Sequence, residues 1–217
     1  KVREAIMKQG LGKSQIVLLD ALLKLRQVCC DPRLLSLPEA SMAHGVSVKL
    51  DSLMGLLDNL MEEGRHVLIF SQFTSMLKLI EQELTSRSYS YVKLTGQTQN
   101  RQAVVRDFQE GKAPIFLISL KAGGTGLNLT RADTVIHYDP WWNPAVEDQA
   151  TDRSHRIGQE NPVFVYKLIT AGTVEEVILG MQAKKRQLFE GVLSSQGSEN
   201  VSLTDADIAQ FFAPLRE

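Results

Sequence analysis

The chain has 217 residues and a mass of 24.2 kDa, enough for one well-buried core. Hydrophobic residues make up 43% and charged residues 23%, which excludes wholesale disorder and collagen-like or low-complexity architectures. The net charge is -1, with 24 basic against 25 acidic residues, so no global basic field points to nucleic acid or membrane and any anion site must be local.

No apolar run reaches the roughly 18 to 20 residues that cross a bilayer, and Lys1 to Gln15 shows no secretory signal. The first residue is not Met, as expected of a fragment. Cys29 and Cys30 are adjacent, a spacing that rarely meets disulfide geometry. They read either as a redox pair or as buried packing in a reducing compartment.

In chain order, residues 14 to 30 predict a helix with Ile16, Leu19, Leu22, Leu23 and Leu25 on its apolar face, ended by Asp31-Pro32. Pro32 to Val46 reads as loop. A second helix is predicted from Ser47 through Glu63, with Leu50, Leu53, Met54, Leu57, Leu60 and Met61 as its stripe. From Gly64 short apolar strands alternate with helices. Strands are predicted at Val67 to Ser71, Ser90 to Leu94, Ile115 to Leu120, Thr134 to Tyr138 and Val163 to Leu168. Helices are predicted at Thr74 to Arg87, Asn100 to Glu110 and Val174 to Leu193, with a short turn near Ala145 to His155. Near-continuous hydrophobic strands fit a mostly parallel sheet covered by helices on both faces, an α/β fold. The tail from Ser194 is polar up to a short apolar stretch, Asp207 to Phe212, read as a docking helix.

GLGKS at Gly10 to Ser14 ends like a phosphate-binding loop, but the glycine five residues before the GK pair is Met7 and no strand precedes it. No acidic pair follows a hydrophobic strand either. The usual parts for holding ATP and magnesium are therefore missing from these residues.

Two stretches carry chemistry. SLKAGGTGLN, Ser119 to Asn128, follows a buried strand; its glycines let backbone N–H groups approach an anion and Lys121 adds charge, although a turn that is glycine-rich only for geometry reads the same. In QATDRSHRIGQ, Gln149 to Gln159, Arg153 and Arg156 are three apart and project from one face of a helical turn. Paired guanidiniums suit phosphoryl oxygens. Arg153 paired with Asp148 or Asp152 on a solvated surface is the competing reading.

Together, VLIFSQF (Val67 to Phe73), SLKAGGTGLNL (Ser119 to Leu129) and DPWWNPAVEDQATDRSHRIGQ (Asp139 to Gln159) closely resemble the Swi/Snf-type DNA-dependent ATPases of helicase superfamily two. LLKLRQVCCDPRLL, Leu22 to Leu35, resembles the segment before the second lobe of those enzymes. The resemblance runs from about Leu22 to Gln187 and implies a RecA-like C-terminal lobe, residues 47–172. A helical extension and connecting loop, 1–46, would precede it, and a brace helix and tail, 173–217, would follow.

The resemblance also implies roles. ATP and Mg would be held mainly by an N-terminal lobe of the same polypeptide, with Arg153 and Arg156 reaching the phosphates as arginine fingers. Gln149, Asp152, Gly126 and Asn128 would line the nucleotide edge. Ser71, Gln72, Ser119, Lys121, Gly123 and Gly124 would meet the backbone of double-stranded DNA. Trp141 and Trp142 are each either core or interface, one of each being expected, with Trp142 the better candidate for stacking on DNA. No metal ligands are implied in this lobe, and His155 reads as a structural histidine. Leu120 stands where many relatives carry a hydroxyl, and Thr95 opens a TGQT run in place of the commoner Asp-Gly-Ser-Thr. The implied activity is DNA translocation driven by ATP hydrolysis, inactive in this chain alone. A nucleoprotein target is expected and a membrane is not.

Alternatives are a non-enzymatic DNA-binding or docking module with a degenerate lobe, and an RNA helicase lobe, whose HRxGRxxR pattern is replaced here by QATDRSHRIGQ. Compact motif spacing leans toward a bacterial protein of the cytoplasm or nucleoid; a eukaryotic one would be nuclear.

Overall fold

The computed structural model describes residues 11–35, 47–123, 127–152 and 162–194. The chain divides into two compact units, one of Val46–Ile169 and one of Lys1–Gly45 with Thr170–Glu217.

The first unit contains α2 (Val48–Glu62), β1 (Val67–Ser71), α3 (Thr74–Ser86), β2 (Tyr91–Leu94), α4 (Arg101–Gln109), β3 (Ile115–Ser119), the single turn α5 (Leu120–Gly123), β4 (Thr134–His137), α6 (Pro144–Thr151) and β5 (Phe164–Lys167). The helix α1 (Leu11–Cys30) precedes them and α7 (Val174–Ser194) follows, both in the second unit. The strands form one parallel sheet in the order β2-β3-β1-β4-β5. Each predicted strand is present, four of them trimmed by one or two residues.

The three central strands are buried along their whole length, which is why they read as unbroken apolar runs. Alternation sends Leu68, Phe70, Phe116, Ile118 and Val135 to one face, where Phe108 of α4 and Ala150 of α6 complete a core. Val67, Ile69, Ile115, Leu117 and Ile136 take the other face and are equally buried, and α3 packs on β1 and β3. Ser47 caps α2 by accepting the Leu50 N–H, and the predicted stripe of α2 is buried from Leu50 to Leu60. Lys49, also buried, donates to the carbonyls of Tyr138 and Leu168. The edge strand β5 departs from the pattern, with Phe164 and Val165 exposed and the Arg65 guanidinium 4.7 Å from the Phe164 ring centre.

In the second unit α1 is longer than predicted and presents a different face. Leu22, Arg26 and Cys30 are buried at i, i+4 spacing, whereas Leu19, Leu23 and Leu25 of the predicted stripe are exposed. Apolar residues surround this helix, so periodicity alone did not choose among its faces. Asp31 caps the 3₁₀ turn Pro32–Leu34 and grips the Arg33 guanidinium with both oxygens. In α7, Val174, Ile178 and Gln182 form the matching buried stripe, and Thr173 accepts the Glu175 N–H at its start. Neither Cys29 nor Cys30 is in a disulfide among the described residues, and the second is fully buried. The predicted tail helix at 207–212 lies outside the described residues.

Candidate nucleotide and DNA edge

Those residues singled out by the sequence that are described lie at or beyond the C-terminal ends of β1, β3 and β4. The connection after β1 leaves toward β2 and that after β4 leaves toward β5, so the strand order reverses between β1 and β4. Open α/β sheets bind ligands outside such a point.

Ser71 ends β1 in register with Ser119 at the end of β3. Both are buried. The Ser71 hydroxyl donates to Asp139 Oδ1 at 2.6 Å and accepts the Phe73 N–H at 3.1 Å, while the Gln72 N–H also points to the Asp139 carboxylate. Ser71 therefore faces inward and joins the switch-point strands, leaving Gln72 as the half-buried residue next to it.

After Ser119 the backbone turns at once into α5, so Leu120 is helical rather than the last strand residue. Lys121 is exposed, and the Ala122 carbonyl is held by Arg101 of α4 at 2.7 Å. Gly123 has a packing reason for its identity: a Cβ there would lie 2.9 Å from Phe70 Cε1. Gly124 and Gly126 lie outside the described residues. Asn128 is exposed, with its carbonyl bonded to Gln109 Nε2.

The chain beyond β4 is the most elaborately held part of the edge. His137 stacks on Phe70 with ring centres 5.7 Å apart and bonds Thr151 through Nε2. Burial pushes its pKa down to about 4, the Glu147 charge opposing this and Lys167 adding to it. Asp139 and Pro140 are buried, then Trp141 and Trp142 lie in the bend that leads to α6. Both tryptophans are half-buried, and Trp141 packs against the core, so the expected contrast between one core ring and one surface ring is softened. Asn143 caps α6 by accepting the Ala145 N–H, with Pro144 in the first turn. Glu147, almost wholly buried, accepts the Trp141 N–H at 2.7 Å and pairs with Lys167 of β5. Gln149 and Asp152 are exposed on and just after α6. Where a short turn near Ala145 to His155 is predicted, the described residues form the helix α6, which ends at Thr151; Arg153, His155 and Arg156 lie outside the described residues.

Sequence reading missed Arg101, Asp139, Glu147 and Lys167. One signal existed for Glu147, which shares helical phase with the buried Pro144 and Ala150. Among the described residues no three His, Cys, Asp or Glu side chains converge as metal ligands, and no helix is long and apolar enough to cross a membrane.

A parallel sheet with this strand order and this loaded C-terminal edge defines a RecA-like lobe. Residues 48–158 match the helicase conserved C-terminal domain family. The putative ATP-dependent helicase/translocase YwqA of Bacillus subtilis is 41% identical over 191 residues, covering 86% of this chain and 21% of that protein. Protein CHROMATIN REMODELING 24 of Arabidopsis thaliana is 50% identical over 148 residues, covering 67% of this chain and 14% of that protein. Among solved structures, the Sulfolobus solfataricus SWI2/SNF2 ATPase core in complex with dsDNA superposes with a TM-score of 0.71 at 35% identity, covering 90% of this chain and 41% of that one. The C-terminal part of the Fun30 ATPase domain gives 0.61 at 33% identity, covering 82% and 62%.

The chain belongs to the Snf2 family of superfamily-two ATPases, as its C-terminal RecA-like lobe. It spans about a fifth or less of the length of the curated relatives named here. Those relatives come from a plant and a bacterium, so the leaning toward a bacterial origin gains no support.

Proposed function

We propose that this chain is the second motor lobe of an ATP-dependent double-stranded DNA translocase or remodeller. The observation that carries the reading is the convergence of the β1, β3 and β4 ends on one switch point, beside a helix that leads directly into the Arg153 and Arg156 segment. In this reading a preceding lobe of the same polypeptide holds ATP and Mg²⁺. Arg153 and Arg156 supply planar, permanent charge to the phosphoryl oxygens, with Gln149, Asp152, Gly126 and Asn128 along the same edge.

The DNA track of this reading is Gln72, Lys121, Gly123, Gly124 and Trp142, backed by the buried Ser71 and Ser119. Backbone contacts of this kind position a duplex without reading its sequence. A nucleoprotein target and the N-terminal lobe are the partners, and the compartment follows the organism.

The test is made in the enzyme carrying both lobes. Arg153→Ala or Arg156→Ala should lower DNA-stimulated turnover by on the order of 10³-fold while DNA affinity holds, and Lys at either position should not rescue. Near-normal rates would return both arginines to surface ion pairs. Residues 1–217 alone should hydrolyse ATP no faster than buffer; DNA-stimulated turnover by this chain would sink the half-site reading.

A further inference from the structure

We propose that Glu147 is a positioning residue whose buried carboxylate pins the Trp141–Trp142 turn that joins β4 to α6, setting the direction in which Trp142 faces DNA. The proposal rests on the DNA reading of Trp142 given above. A carboxylate that is 1% exposed is costly to bury and is tolerated only with strong partners. Among the described contacts, several compensate the Glu147 charge. Its Oε1 accepts the Trp141 N–H at 2.7 Å, its Oε2 takes the Lys167 ammonium, and it lies in the first turn of α6, where the helix dipole favours negative charge. These contacts join a turn, a helix and an edge strand through one side chain.

The two bonds do different work. Lys167 neutralises the charge, whereas the Trp141 N–H fixes the backbone of the turn itself. With that N–H held, the following residue, Trp142, leaves the turn in a defined direction toward Asn143, which is fixed in turn as the cap of α6. A merely neutralising ion pair would need Lys167 and not Trp141.

The experiment uses the fact that the chain contains two tryptophans, both in this turn, so tryptophan fluorescence, excited selectively over the four tyrosines, reports on the turn alone. Glu147→Gln keeps an acceptor for the Trp141 N–H and loses the ion pair without leaving a buried charge; Glu147→Met loses both. Acrylamide quenching should match the unaltered chain in Glu147→Gln, and should rise about twofold with a red-shifted emission in Glu147→Met, as a local opening requires. Equal quenching in Glu147→Met, or an increase in Glu147→Gln as large as in Glu147→Met, overturns the proposal.

If Glu147→Met does not fold, amide exchange in the unaltered chain decides: the Trp141 N–H should exchange at least about 100-fold more slowly than in an unstructured chain, and unprotected exchange overturns the pin. In the two-lobe enzyme, Glu147→Met should raise the DNA concentration for half-maximal stimulation about tenfold, the scale of one lost stacking contact, with a smaller effect at saturating DNA. An opened turn with an unaltered DNA response supports the pin and removes Trp142 from the DNA path, so the two readings fail separately.

Discussion

Ser71 and Asp139 lie 68 residues apart in sequence and share a 2.6 Å hydrogen bond, with both side chains buried where β1 and β4 diverge. A hydroxyl committed in this way supports the edge from beneath. Ser71→Ala should therefore destabilise the lobe by about 1–3 kcal/mol, because Asp139 loses a donor inside the protein. Asp139→Asn should cost a similar amount, and the double variant should cost less than the sum, as coupled partners do. Chemical denaturation of the four proteins checks this. A Ser71→Ala protein of unchanged stability and weakened DNA binding would instead make the hydroxyl a direct phosphate ligand.

Lys121 is the exposed cation of the turn after β3, in a chain of net charge -1. Few charges take part in the proposed DNA track, so duplex binding should be weak, indifferent to sequence, and only shallowly dependent on salt. Lys121→Ala should lower the slope of log affinity against log salt by about one at most. Trp142→Ala should weaken binding without changing the slope, since stacking releases no counterions. Fluorescence anisotropy at several salt concentrations measures both. A Lys121 variant with full DNA binding and an unchanged slope would take the turn out of the DNA path.

His137 gives the lobe a pH dependence of known sign. Its ordinary pKa is 6.5, and burial, the largest cause, pushes it down to about 4 in the fold. The unfolded chain therefore takes up the proton first as pH falls below 6.5. The stability from a neutral His137 is complete above that value and is lost as pH falls toward 4, at no more than about 1.4 kcal/mol per pH unit. His137→Gln should flatten the fall of Tm between pH 7 and pH 5. His66 is also lowered, by burial and then by Arg131 against the opposing Asp133, and it stays intact in both proteins being compared. An unaltered slope in His137→Gln would assign the acid sensitivity elsewhere.

The sheet was legible because central parallel strands must be apolar on both faces, and β1, β3 and β4 are. The face of α1 was not, because Leu19 and Leu23 compete with Leu22 for the inward direction and the winner is chosen by packing. The candidate edge divides in the same way. Its members could be picked out as motifs, but Asp139 acts through Ser71 and Glu147 through Lys167, partners that only the folded chain brings near. Gly123 was read as a place for an anion to approach, and its neighbour Phe70 gives it an additional steric reason.

The central position of β1 also bears on how the protein is made. Its neighbours are β3 and β4 rather than the strand that follows it, and Val67 finds its mate on β4 67 residues later. A ribosome must therefore deliver most of the lobe before VLIFS can bury both edges. Until then a strand with four apolar residues in five is an open template, so chaperone capture during synthesis should centre on β1 and end once β4 has emerged.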